Sequence, residues 1–109
     1  MIDATKLATD LGDRGTEWAI TQAAFRALED TEKSVLAEHT QLFLNQGAKS
    51  HAVAESKARA CPEFVDFLSN KAECRHAYGL ATVRYETMKV YIELQRSNQA
   101  YERAQMAMI

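Results

Sequence analysis

The side chains in this sequence best suited to nucleophilic or soft-metal chemistry are His39, His51, His76, Cys61 and Cys74, and their spacing limits what they can do together. No HExxH or His-x3-His pair sets two imidazoles on one helical face, as a helical zinc site would require. Cys74 stands two residues from His76, and residues two apart on a helix point to different faces. Neither cysteine belongs to a paired CxxC, and two are too few for a secreted disulfide scaffold, so both are expected to be reduced structural thiols. No activating base or oxyanion-forming turn accompanies either thiol in the chain, which argues against a nucleophilic Cys–His dyad. His39 falls at a seam position of a helix and is expected to be an interfacial polar group.

The carboxylates are more numerous but no better arranged. Glu29, Asp30 and Glu32 cluster, and Glu86 and Glu93 lie seven apart. A di-iron bundle draws an ExxH element from each of two helices, whereas this chain has only Glu73-Cys74-Arg75-His76. Gly12-Asp13-Arg14-Gly15 has neither the spacing nor the lysine of a phosphate loop. The expectation is a protein without metal or cofactor, and not an enzyme.

One charge pattern does suggest a ligand. Arg75, Lys89, Arg96 and Arg103 recur at one heptad position, and Lys71 stands one turn before Arg75. Such a row is either a solvated flank, compensated locally by pairs such as Lys89 with Glu93, or a shallow phosphate track for a single strand. On the second reading Tyr91 and Tyr101 offer stacking surfaces for bases, or else belong to the core. The net charge is only −2, with four basic and eight acidic residues in 1–46 against nine and seven in 47–109. Nonspecific affinity for nucleic acid comes largely from counterion release, so any binding must use one face.

These groups sit on elements the sequence outlines well. With 47% apolar and 26% charged residues, four glycines and one proline in 109 positions, the chain suits an all-α domain. Gly12 and Gly15 set off residues 1–15 as an N-terminal segment. Thr16 is expected to cap a helix over 16–46, with Trp18, Phe25, Leu28, Val35 and Leu42 on its apolar side. Asn45-Gln46-Gly47 ends it, Ser50 caps a short alanine-rich helix over 50–60, and Cys61-Pro62-Glu63 bends the chain into a restart. One long helix over 62–106 follows, about 65 Å at ~1.5 Å per residue.

That helix is apolar on two sides. Phe64, Phe67, Cys74, Tyr78, Ala81, Tyr85, Met88 and Ile92 form a heptad seam, interrupted at Lys71, that should meet the helix of 16–46. Leu80, Val83, Val90, Leu94, Tyr101, Ala104 and Met108 form a second row. The expected architecture is a coiled-coil-like antiparallel helical hairpin whose residues beyond about Arg96 overrun the first helix. Because a helix apolar on two sides is normally covered on both, the second row is expected to be a homo-oligomer interface. No basic leader and no run of ~18 apolar residues is present, so a cytoplasmic protein without a membrane partner is expected.

Glu55-Ser56-Lys57-Ala58-Arg59-Ala60-Cys61-Pro62-Glu63-Phe64, Ala81-Thr82-Val83-Arg84-Tyr85-Glu86, Gln95-Arg96-Ser97 and Glu102-Arg103-Ala104-Gln105-Met106 form a familiar layout of helix and charge. Over roughly residues 16–106 it resembles small helical phage proteins of DNA-metabolism clusters, whose best described relatives are recombination mediators of the UvsY type. The resemblance implies an oligomer that binds single-stranded DNA and assists a recombinase or displaces a single-strand-binding protein. This chain differs in being net acidic and in lacking a dense basic motif. Lys71, Arg75, Lys89, Arg96 and Arg103 are the candidate DNA contacts. A protein-only helical adaptor or inhibitor, binding a host or phage protein, is the alternative.

Overall fold

A computed structural model describes residues 3–108; Met1, Ile2 and Ile109 lie outside them. The chain is all-α, with α1 over Ala4–Asn45, α2 over His51–Ala60 and α3 over Pro62–Ala107. α1 and α3 run antiparallel along most of their length, and α2 closes one end. The result is a rod of 86 × 20 × 16 Å with a radius of gyration of 24.1 Å, against about 13 Å for a compact domain of this size.

The first helix begins at Ala4, not at Thr16. Asp3 is the cap, its Oδ1 accepting from the backbone N–H of Thr5 at 2.9 Å and of Lys6 at 3.3 Å. Thr16 lies in mid-helix and donates its hydroxyl to the Gly12 carbonyl at 2.9 Å. Two interior glycines cost a helix about 1 kcal/mol each, but Leu7 and Leu11 are half-buried and share a cleft of about 240 Å³ with Ile92, Gln95 and Gln99 of α3. Packing along α3 thus carries the helix through the glycines. The overrun of α3 accordingly starts after Gln99 rather than near Arg96.

The other boundaries fall where the residue types put them. Gly47 has φ +96°, and two bonds close the α1 terminus: Ala48 N–H to the Phe43 carbonyl and Gly47 N–H to the Leu44 carbonyl, both 3.1 Å. That pair is a Schellman motif. Ser50 Oγ accepts from Val53 N–H at 3.2 Å. Cys61 is extended (φ −71°, ψ 147°), as a residue before proline prefers, and Pro62 opens α3.

The core is a thin seam. Phe64 and Ala81 are buried, and Phe67, Cys74, Tyr78, Tyr85, Met88 and Ile92 are half-buried against α1. Trp18 stacks on Tyr85 with centroids 5.5 Å apart, and Phe25 on Tyr78 at 6.0 Å. At the closed end Ala54 and Ala58 are fully buried, letting α2 approach closely. There the inward side of α1 shifts to Leu36 and Thr40, which must cover α2 as well as α3, and Leu42 turns outward at 49% exposure. Thr40 is buried and donates its hydroxyl to the Leu36 carbonyl at 2.7 Å.

Candidate interaction surface on the long helix

Along α3 the positions 80, 83, 87, 90, 94, 97, 101, 104 and 108 alternate steps of three and four, the spacing of a coiled-coil seam. At ~100° per residue this row lies roughly 160° around the helix from the seam that meets α1. Its members are Leu80, Val83, Thr87, Val90, Leu94, Ser97, Tyr101, Ala104 and Met108. All nine are exposed; the six large apolar ones range from 44% exposed at Leu80 to 84% at Met108. The first helix therefore leaves this face exposed, approaching it only where Arg14 borders a shallow groove with Val83 and Thr87. Glu86 and Glu93 flank it on one side, and Arg84, Tyr91 and Asn98 on the other.

The basic residues are less alike than their spacing implies. Lys71 lies in the inner seam, half-buried, with its ammonium 3.0 Å from the Glu32 carboxylate of α1. This pairing removes it from the outer edge and explains how a lysine is tolerated in an apolar seam. Lys89 pairs with Glu86 at 3.1 Å, one turn back, instead of with Glu93, and lies 4.7 Å from the centroid of the Tyr85 ring. The hydrogen bond to Glu86 raises its pKa above the ordinary lysine value. Arg75, Arg96 and Arg103 are exposed and have no ion-pair partner among the described residues. Arg75 borders a shallow groove with His76, Gly79 and Leu80, Arg96 borders the cleft at the α1 N-terminus, and Arg103 lies beyond the start of α1.

Charge periodicity does not single out Arg84, yet it bridges to Glu17 of α1 at 3.3 Å. Its position beside the seam is the signal that would have found it. Tyr91 and Tyr101 are both exposed, the latter on the outer row, so neither is core. His76 is exposed and Cys74 half-buried, as expected of residues on different faces. His39, by contrast, comes to lie beside Cys61 and Glu63 at the closed end. No helix among the described residues is long and apolar enough to cross a membrane. The chain matches no family model, no curated protein and no solved structure.

Proposed function

We propose that this protein is a non-enzymatic helical adaptor that works as a pair of identical chains, joined in parallel along the outer row of α3. The observation that carries the reading is the heptad row from Leu80 to Met108, about 42 Å long at ~1.5 Å per residue, polar only at Thr87 and Ser97 and exposed at every position, with Arg14 of α1 at its edge. Fully burying a large aliphatic side chain contributes roughly 1.5–3 kcal/mol. At the exposures found, two copies of the six large residues would gain on the order of 10–20 kcal/mol gross. Association costs about 4–15 kcal/mol, so pairing is within reach of this row alone.

Charge selects the orientation. In a parallel pair the Glu86–Glu93 flank of one chain faces the Arg84–Tyr91–Asn98 flank of the other, with no like charges opposed. An antiparallel pair would set the glutamate flank against itself. Sedimentation equilibrium on the full chain is the test: a dimer is expected, and Leu94→Glu should give a monomer of unchanged helical content. A wild-type chain that stays monomeric across the micromolar range defeats the proposal.

A second reading is a phage-type accessory of DNA recombination or replication that binds single-stranded DNA, a recombinase or a single-strand-binding protein. The observation in its favour is that Arg75, Arg96 and Arg103 stand on one edge of α3 without ion-pair partners among the described residues. Three phosphate contacts per chain predict a slope of about −2 in log K against log salt for a single strand. An oligonucleotide titration at low and moderate salt measures this, and the absence of any complex at low salt removes it.

A further inference from the structure

At the closed end of the rod, α1 runs past the corner between α2 and α3 and brings together three side chains of metal-ligating type. A His39 ring nitrogen, Cys61 Sγ and a Glu63 carboxylate oxygen all lie within 4.8 Å of one another. Cys61 is 7% exposed, His39 is half-buried and Glu63 is exposed, so the cluster runs from the interior outward. We propose that His39, Cys61 and Glu63 bind one zinc ion, which fastens α1 to the start of α3.

Four features support the assignment. First, imidazole, thiolate and carboxylate are the ordinary donors to zinc, and three protein ligands leave a fourth tetrahedral position for water. Second, His39 Nδ1 lies 2.9 Å from the Val35 carbonyl oxygen. A carbonyl only accepts, so Nδ1 carries the proton and Nε2 keeps the lone pair that a metal needs. A ligating histidine is commonly oriented in this way, by donating its other N–H to a backbone carbonyl. Third, Cys61 occupies the N-cap position of α3, but its side chain makes no capping hydrogen bond, so Sγ is not committed to the backbone. Fourth, a thiolate and a carboxylate balance the two charges of the ion, and a neutral centre avoids burying net charge.

The fit requires little movement. Zinc–ligand distances of about 2.0–2.3 Å place tetrahedral donors about 3.5 Å apart, so donor atoms that already lie within 4.8 Å of one another need only draw slightly together, and the exposed Glu63 side chain has room to do so. Binding releases the thiol proton to solvent as the Zn–S bond forms. The sequence hid the site because Cys61 and Glu63 come from one helical turn whereas His39 comes from a different helix, so no local spacing records it.

Cobalt(II) and then zinc titrated into the full-length chain provide the test. Wild type should show a thiolate-to-cobalt charge-transfer band that saturates at one ion per chain. Zinc should displace the cobalt and raise the thermal midpoint, and EDTA should reverse that rise. His39→Ala, Cys61→Ser and Glu63→Gln should each weaken zinc binding by about tenfold or more, and Cys74→Ser should leave it unchanged. Glu63 is exposed, so its variant retains the fold even if Cys61→Ser does not. No band in the wild type, or zinc affinity unaltered by Glu63→Gln and His39→Ala, overturns the assignment.

Discussion

At the scale of single residues, two glycines of α1 with the same local cost have different surroundings. A Cβ on Gly12 would meet nothing within 4 Å, whereas one on Gly15 would lie 3.3 Å from Tyr85 Cε1. The Tyr85 ring is held by its stack on Trp18 and by Lys89 beside it, which limits how far it can yield. Gly12→Ala should therefore raise stability by about 0.5–1 kcal/mol, while Gly15→Ala should not raise it, because displacing the ring offsets the gain in helix propensity. Urea denaturation of both variants decides the point, and equal stabilisation would show that Tyr85 does not need the space. The seam residues were legible because a heptad repeat records which side chains share a face. Partners across the seam were not: Lys71 reads as a break in the apolar seam until Glu32 of another helix comes to lie 3.0 Å from it. The same blindness conceals His39, Cys61 and Glu63.

At the scale of elements, ends set by local chemistry could be read and ends set by tertiary packing could not. Gly47, Ser50 and Pro62 each do a job that few other residues can do at that position, and each boundary falls beside them. The start of α1 is hidden because Gly12 and Gly15 signal a break locally, while Leu7 and Leu11 continue the packing surface that keeps the helix intact. Gly47 gives this contrast a measurable form. With φ at +96° its Schellman turn excludes a Cβ without strain, so Gly47→Ala should destabilise the chain by about 1–2 kcal/mol even though nothing lies within 4 Å of the new methyl. Thermal or urea unfolding measures the loss. An unchanged midpoint would mean that the α1–α2 turn relaxes into another conformation at no cost.

At the scale of the whole molecule, few side chains in the rod are well buried. Among the described residues the buried apolar set is Ala54, Ala58, Cys61, Phe64 and Ala81, of which only Phe64 is large. A thin hairpin of this length encloses little, and apolar surface left open on such a scale marks a place for another chain to cover. The two proposals place reinforcement at different points, zinc at the closed end and a second chain along the outer row. Orientation separates parallel from antiparallel pairing sharply. In a parallel, in-register pair the two copies of Leu80 adjoin each other, whereas in an antiparallel pair centred on the row they lie about 40 Å apart at ~1.5 Å per residue. Leu80→Cys in a chain that keeps the buried Cys61 and has Cys74 replaced by serine should therefore form a dimer linked through residue 80 under mild oxidation, and Met108→Cys should behave alike. If neither variant cross-links to itself and a mixture of the two joins the Leu80→Cys chain only to the Met108→Cys chain, the pair is antiparallel, and its interface tolerates the opposed glutamate flanks that favour the parallel arrangement.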